Sequence, residues 1–469
     1  MSAKPSAPLG PGSMGSESVG ADCIRDRPGV GSRLKPSRRR DLRSKTVSTT
    51  TKICLAVFAV ALAIRLLTLT FWLPRLRPDA DLDSYRSLAQ HLAAGKGFVA
   101  LSPNGNELPN VSRTPVYPLF LAALMRVGGD RLGLFLAVQC VLGAITCLLT
   151  VMLASRWLPL RGATVASLLV AIDPNSIVRC VDLRTETLFT LLLIGGACAL
   201  AWRDKPWSGW VLGGFLWSLA ALTRPIAVWL WVVALVVLLG TRLSWRTRTG
   251  CFAVFLAGYL VLPGIWAARN TVLTGHCFVS TISTYNLLAY RAAGVEAGRT
   301  HQPLETVQQR LLSKSGDLQF FESRAAFDAA LQTYRRTATR VLSSAPGLAV
   351  KQTALGWGKI LFGPGARSID NMLREPSSPS RWWPPLYTFG LIVAALLSLV
   401  GVIKLGREAT MMCAVALYLV LLAGGPESNS RFRAPITPVL AILAVVGAVS
   451  VCSREASSRQ NPKNGEARE

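Results

Sequence analysis

Residues 53–73 read ICLAVFAVALAIRLLTLTFWL, and this apolar run decides the class of the protein. A helix of these 21 residues is ~31 Å long, close to the hydrocarbon thickness of a bilayer. Residues 38–52, directly before it, hold six Lys or Arg, and basic residues favour the cytoplasmic side. The sequence therefore predicts a transmembrane helix with its N-terminus inside. A cleaved signal peptide is the alternative, but no small-residue cleavage site follows the run.

The rest of the chain repeats this pattern. Hydrophobic residues make up 51% of the 469 residues and charged residues 16%, which excludes a disordered or collagen-like protein. Nine further apolar runs predict membrane spans, at residues 132–155, 162–175, 186–202, 207–222, 225–240, 251–268, 386–403, 409–424 and 435–452. Residues 116–127 would form a helix of only about 18 Å, which indicates a re-entrant or interfacial helix. We therefore predict an all-α polytopic membrane protein with about ten transmembrane helices.

An even number of spans places both polar ends of the chain on the cytoplasmic side. The predicted segments are a disordered basic cytoplasmic tail (1–52), a transmembrane module (53–268) with a first outer loop (74–115), a mostly helical extracytoplasmic domain (269–385), C-terminal transmembrane helices (386–452) and a second cytoplasmic tail (453–469). Apolar positions from Phe327 to Leu342 follow helical spacing, which predicts an amphipathic helix ending before Pro346. The net charge of +26 accompanies no base-reading motif, so we expect no nucleic-acid partner.

The first outer loop carries three carboxylates, on Asp79, Asp81 and Asp83, just before Tyr85. A carboxylate beside a membrane surface can accept a proton from an attacking hydroxyl if its surroundings tune its basicity. The alternative is a solvated acidic loop in which Asp81 or Asp83 caps the following helix. The loop alone leaves both interpretations open.

Cationic side chains gather on the same predicted side of the membrane. They are Arg113, Arg184 beside Glu186, Arg224, Arg269, Arg431 and Arg433. A guanidinium group stays charged and offers paired donors to two phosphate oxygens, so together these residues predict an outer cavity that binds phosphate. Each one alone is equally compatible with a topological anchor or an ion pair. Arg65, within the first span, either pairs with Glu186 or a lipid phosphate, or extends toward the interface.

Cysteine and histidine give no sign of a metal site. The chain has ten cysteines and three histidines, but no CxxC motif and no clustered histidines. Most of the cysteines lie in apolar runs, where a thiol behaves as a small hydrophobic group. We therefore predict neither a metal site nor a disulfide framework.

The order of these motifs resembles the C-type glycosyltransferase superfamily, in particular its bacterial branch akin to protein O-mannosyltransferases and lipid A aminoarabinose transferases. The matching segments are DLDSY (81–85), GKGF (95–98), RTPVYP (113–118), TETLF (185–189), TRP (223–225), RN (269–270) and RFRAPI (431–436). Each motif is degenerate, but their order and common side make the combination specific. Together they extend from about residue 55 to residue 450.

The resemblance implies a hexosyl- or pentosyltransferase in the cell membrane. It would take a sugar from a polyprenyl-phosphate carrier and pass it to a glycan, lipid or protein acceptor on the extracytoplasmic face. Asp81 matches the family's catalytic base best, and Asp83 is the close rival. A single displacement inverts the anomeric centre and requires no metal or other cofactor, because phosphate is already a good leaving group.

We therefore predict Asp81 and Asp83 as catalytic residues. The predicted substrate-binding residues are Tyr85, Arg113, Arg184, Glu186, Arg224, Arg269, Arg431 and Arg433. The competing interpretation is a transporter or flippase for a lipid-linked sugar, which would also need an apolar bundle with a cationic cavity. Transporters tend to show two related halves with broken helices, and the sequence shows no such halves.

Overall fold

The structure is a computed structural model that describes residues 36–76, 84–102, 104–201, 206–241, 243–366, 372 and 383–460. The predicted catalytic residues Asp81 and Asp83 lie outside the described residues. The chain divides into two units, Met1–Thr49 and Thr50–Glu469. Of the first unit, residues 36–49 are helical. The second unit contains the rest of α1 and every other element described below.

The described chain is almost entirely helical. Its α-helices are α1 (Pro36–Trp72), α2 (Tyr85–Ala93), α3 (Val116–Gly128), α4 (Leu132–Ala154), α5 (Leu160–Ile172), α6 (Pro174–Cys180), α7 (Glu186–Leu200), α8 (Pro206–Ala221), α9 (Leu230–Gly240), α10 (Trp245–Thr274), α11 (Ile282–Asn286), α12 (Ala293–Thr300), α13 (Leu304–Ser313), α14 (Arg324–Ser344), α15 (Pro346–Phe362), α16 (Trp383–Leu405), α17 (Thr410–Ala423) and α18 (Thr437–Gln460). A π-helical turn, Leu287–Ala292, joins α11 to α12. Short 3₁₀ turns include Pro225–Trp229, Gly406–Ala409 and Ser430–Ile436.

Five helical stretches among the described residues are long and apolar enough to cross a membrane. They are Thr49–Arg75, Leu132–Ala154, Trp245–Thr274, Trp383–Ala423 and Ser430–Ser453. A sixth arises if α5 and α6, which meet at a bend of 60°, count as one broken span. A membrane-spanning helical protein is thereby confirmed. The ten predicted spans all overlap helices, but several of those helices are shorter than a bilayer crossing requires.

The first helix begins earlier than expected. α1 starts at Pro36, so residues 36–52 are helical rather than disordered. Extending an existing helix costs less than nucleating a new one, and Arg, Lys and Leu are good helix formers. The long apolar run can therefore propagate its helix into the polar residues before it.

The first outer loop contains the one two-stranded sheet of the described chain, which the all-α prediction omitted. Val99–Leu101 pairs with Glu107–Pro109 in antiparallel register. Gly105 supplies a positive φ of 83° in the connecting turn, a conformation that costs glycine little. The hairpin is followed by α3, a 13-residue apolar helix at the position of the predicted re-entrant or interfacial helix.

Glycine allows two pairs of helices to approach very closely. A Cβ atom on Gly214 of α8 would collide with the Phe255 carbonyl of α10. In the same way, a Cβ on Gly401 of α16 would meet the Leu443 carbonyl of α18. Such contacts between small residues are how helices associate in lipid, where there is no hydrophobic drive between them.

The segment between α10 and α16 has its own apolar core. α14 is the predicted amphipathic helix, and its buried face consists of Phe327, Ala330, Leu331, Tyr334 and Ala338. This prediction is confirmed. Val111 of the first outer loop is buried in the same core, so the loop and the segment are packed together.

Candidate active site

Glu186, the first residue of α7, is the centre of a buried ion-pair system. Its Oε1 atom lies 2.6 Å from Nη1 of Arg224 and 3.1 Å from Nε of Arg431. Arg224 follows α8, and Arg431 lies in the Ser430–Ile436 turn. The fold therefore brings three predicted site residues from distant parts of the chain into contact.

A second buried ion pair adjoins the first. Arg179 of α6 donates from Nη1 to Oδ2 of Asp182 at 2.7 Å, and Nε of Arg184 lies 3.3 Å from Oδ1 of the same carboxylate. Thr187 donates its hydroxyl to the Arg179 carbonyl at 2.8 Å, which ties α6 to α7. We call Arg179, Asp182, Arg184, Glu186, Arg224 and Arg431 the ionic cluster.

The ionic cluster has two more positive than negative side chains. Asp182 and Glu186 are 5% and 1% exposed, and Arg179 is 2% exposed. Burying a charge is costly unless it is paired and hydrogen-bonded, and four arginines gathered in one place favour the approach of an anion. The net sign and the partial exposure of Arg224 suit a phosphate at the edge of the cluster.

Tyr85 and Arg113 form the neighbouring part of the site. Cζ of Arg113 lies 5.2 Å from the centroid of the Tyr85 ring, a distance typical of a cation–π interaction. Tyr117 of α3 packs its ring edge-on against Tyr85 at 5.1 Å. Ser84 and Tyr85 are the first described residues after the acidic loop, so Arg113 lies next to the point where that loop ends.

Gln139 connects these two parts. Its Oε1 atom accepts a hydrogen bond of 2.8 Å from the Tyr117 hydroxyl. Its Nε2 atom donates to the carbonyls of Asp182 at 2.9 Å and Cys180 at 3.1 Å. Gln139 and Arg179 were not among the residues predicted from the sequence. A buried amide inside the apolar run of α4 was the available signal, because polar groups in membrane spans usually have a defined role.

Arg269 lies apart from the ionic cluster and fastens the first outer loop. Its Nη1 donates to the Asn110 carbonyl at 2.7 Å and its Nη2 to the Phe98 carbonyl at 3.2 Å. The guanidinium is also 4.6 Å from the Trp266 ring centroid. These contacts use donors on both terminal nitrogens, so the structure gives Arg269 a loop-anchoring position rather than a place in the ionic cluster.

Arg433 also points away from the ionic cluster. It is 1% exposed, and its Nη1 donates to the carbonyls of Ile360 at 2.9 Å and Gly363 at 3.0 Å. These carbonyls belong to the C-terminal end of α15, where the backbone lacks helical partners and a cation is favoured. Its Nη2 donates to the Tyr387 hydroxyl, which itself hydrogen-bonds Asp173. Arg433 thus joins α15 to α16 and α6, although it is only two residues from Arg431.

Arg65 is almost fully buried and binds backbone carbonyls. It donates to Ala61 at 3.0 Å, to Ala171 at 3.3 Å and to Val170 at 3.5 Å. The last two carbonyls end α5, so Arg65 stabilises the bend between α5 and α6. This burial excludes extension toward the interface, and within the described chain Arg65 forms no ion pair with Glu186.

Metal binding and glycosylation have little support in the described parts of the chain. No three His, Cys, Asp or Glu side chains there lie close enough together to hold a metal ion. The sequon Asn110-Val111-Ser112 is buried, and Oδ1 of Asn110 accepts hydrogen bonds from the backbone of Ser112 and Arg113. This asparagine has a structural task within the loop.

Comparison with known proteins agrees with the sequence motifs. Residues 112–266 match the family described as dolichyl-phosphate-mannose-protein mannosyltransferase, a range that includes most of the ionic cluster. The chain superposes on the apo oligosaccharyltransferase of Archaeoglobus fulgidus with a TM-score of 0.51 and 12% identity, covering 88% of this chain and 52% of that one. The chain therefore shares the fold of this archaeal oligosaccharyltransferase. The predicted resemblance is thereby confirmed.

Two further structures complete the comparison. The same archaeal oligosaccharyltransferase, AglB, in complex with an inhibitory peptide and a dolichol-phosphate gives a TM-score of 0.51 at 14% identity, over 89% of this chain and 52% of that one. ArnT from Cupriavidus metallidurans bound to undecaprenyl phosphate gives 0.37 at 14% identity, over 89% and 79%. The chain spans about half the length of the archaeal enzyme. No curated protein sequence matches it.

Proposed function

We propose that this protein is a membrane glycosyltransferase that moves a sugar from a polyprenyl-phosphate carrier to an acceptor on the extracytoplasmic face. The observation that carries the proposal is the ionic cluster. It gathers four arginines around two buried carboxylates, and Arg113 and Tyr85 are linked to it through Tyr117 and Gln139, in a chain that shares the fold of the archaeal oligosaccharyltransferase. The matching family is named for a dolichyl-phosphate-linked sugar donor, and AglB was solved with a dolichol-phosphate.

The proposed reaction is a single displacement. An acceptor hydroxyl attacks the anomeric carbon while Asp81, or its rival Asp83, removes the hydroxyl proton. The bond from the anomeric carbon to the phosphate oxygen breaks, and the phosphate leaves with both electrons. Arg113, Arg224 and Arg431 stabilise that leaving group as preset cations. The product is inverted at the anomeric carbon, and the residues named require no metal for this step.

The contacts of the other predicted residues suggest supporting roles. Arg184 neutralises Asp182, and Tyr85 fixes the guanidinium of Arg113. Arg269 and Arg433 are occupied by backbone carbonyls, so we propose that they shape the site without touching the donor.

We propose ten membrane spans with both ends of the chain in the cytoplasm. This count treats α16 and α17 as separate crossings and includes the short helices α7, α8 and α9. The ionic cluster and the segment 269–385 then lie on the extracytoplasmic side. Labelling of single cysteines in intact cells tests this topology, because positions 407 and 431 must be labelled from opposite sides.

The enzymatic proposal is tested by replacing Asp81 and Asp83 separately with Asn. The variant that lacks the catalytic base should transfer sugar about 10²–10⁴-fold more slowly, while it still binds polyprenyl phosphate. A flippase would keep transporting in both variants. Comparing the surface glycans and lipids of cells with and without the gene identifies the transferred sugar as the one that is missing.

A further inference from the structure

Glu186 holds together two arginines that come from distant elements. Its single Oε1 atom contacts both Arg224 and Arg431, although these residues lie at the end of α8 and before α18. Their attraction to the shared carboxylate offsets the repulsion between two neighbouring guanidinium groups. Without this carboxylate, Glu186 would no longer offset that repulsion.

Glu186, Arg224 and Arg431 differ in how far their side chains are exposed. The Glu186 side chain is 2% exposed, whereas Arg224 and Arg431 are 13% and 20% exposed. A substrate can therefore reach the arginines, while Glu186 lies behind them. This arrangement argues against a direct substrate contact by Glu186.

Phe432 supports the same pair from the side. Cζ of Arg224 lies 5.3 Å from the centroid of the Phe432 ring, and Cζ of Arg431 lies 5.0 Å from it. Phe189 of α7 adds a second ring 5.7 Å from Arg224. Planar guanidinium groups stack on aromatic faces, so the ring restricts how each arginine can turn.

The second carboxylate oxygen of Glu186 is buried, and Glu186 helps to line a small cavity. Within the described chain, Oε2 is buried and accepts no hydrogen bond. The adjoining cavity has a volume of about 20 Å³, enough for one water molecule, and its lining includes Thr146, Ser176, Thr187 and Thr190. These hydroxyls donate to protein oxygens, so only their acceptor sides remain for the cavity. Ordered water satisfies such a site, because it can donate to the carboxylate and the hydroxyls together.

We infer that Glu186 is a positioning residue, which with Phe432 sets the separation of Arg224 and Arg431 so that both contact one phosphate. The link to phosphate rests on the proposed function, whereas the link between the two arginines does not. The inference replaces the predicted substrate contact of Glu186 with an indirect role.

A binding measurement distinguishes positioning from simple charge. Glu186→Gln raises the surplus of the ionic cluster from two to three positive charges, which by charge alone should tighten phosphate binding. If Glu186 positions the arginines, Glu186→Gln should instead bind phosphate about tenfold or more weakly, because the donors of Arg224 and Arg431 no longer converge on it. The probe is radiolabelled undecaprenyl phosphate, bound to purified protein in lipid nanodiscs. Glu186→Asp, which keeps the charge on a shorter side chain, should bind with intermediate affinity.

The matched control is Glu427→Gln. Glu427 is also a largely buried carboxylate beside an arginine, with Nε of Arg291 3.5 Å from its Oε1, but it lies outside the ionic cluster. It should leave the affinity unchanged. Tighter or unaltered binding by Glu186→Gln would overturn the inference, as would equal weakening by both variants.

A stability measurement tests the link between the arginines without any ligand. In the wild-type background, Arg224→Gln should lower the midpoint of thermal unfolding, because it removes the ion pair with Glu186. In the Glu186→Gln background the same change should raise the midpoint, because it relieves repulsion from Arg431. A change of the same sign in both backgrounds overturns the inference. The expected reversal together with a wild type that binds no polyprenyl phosphate supports positioning and refutes the proposed function.

Discussion

Replacing Gln139 with Leu should damage the site from a distance. Gln139 is fully buried and makes three hydrogen bonds, one with Tyr117 and two with the loop that carries Asp182. Each bond contributes about 1 kcal/mol, so the loss is about 3 kcal/mol. A loss of this size changes the ratio of folded to unfolded protein about 100-fold. Leu has a similar volume, so a cavity adds little.

Thermal unfolding in nanodiscs and sugar transfer in membranes measure the two consequences. Gln139→Leu should lower the midpoint and also the transfer rate at temperatures where the protein is fully folded, because the Asp182 loop loses its anchor. Gln139→Glu should be worse, since it directs a negative charge at two carbonyl oxygens. Thr150→Val is the control, because Thr150 is also fully buried in α4 but donates its hydrogen bond only within its own helix. Transfer that stays normal in the folded Gln139→Leu protein would refute the reasoning.

Two single contacts and the proposed displacement give three further predictions. Hydrogen bonds from Arg86 and Gln90 outweigh the effect of burial and lower the pKa of Asp130 below its ordinary 3.8. Asp130 therefore stabilises the fold at neutral pH by up to about 1 kcal/mol. In melting curves, the wild type should be more stable than Asp130→Asn at neutral pH, and this difference should disappear as the pH falls below 3.8. Arg269→Met should release the first outer loop, seen as faster proteolysis within residues 97–110; unchanged cleavage would contradict its anchoring role. Transfer should survive a chelator and give inverted product, and loss of activity that added metal restores would contradict a metal-free displacement.

Local patterns were sufficient to predict the helices but not their partners. The apolar run of residues 53–73 and the helical spacing in residues 327–342 were correctly interpreted, because burial on one face leaves a trace in the sequence itself. The count of membrane spans was harder to predict, since an apolar helix as short as α7 can lie inside the bundle without crossing a bilayer.

The partners of individual arginines in the site could not be predicted from the local sequence either. Arg431 and Arg433 are equivalent in the sequence, yet one binds a carboxylate and the other binds the end of α15. The difference arises from the 3₁₀ turn that contains both, which directs them to different neighbours. Such partners are distant in the chain, so the spacing of charged residues could not indicate which arginines would meet Glu186.

The close approach of α16 and α18 has a mechanical consequence. Gly401 of α16 meets the Leu443 carbonyl of α18, and Gly447 of α18 meets the Leu397 carbonyl of α16. The two backbones are therefore in close contact at two positions along the helix axes. Helices interlocked in this way cannot slide past one another and must move as a rigid body. The turn with Arg431 leads directly into α18. Any shift of that arginine relative to α18 must therefore arise within the turn itself.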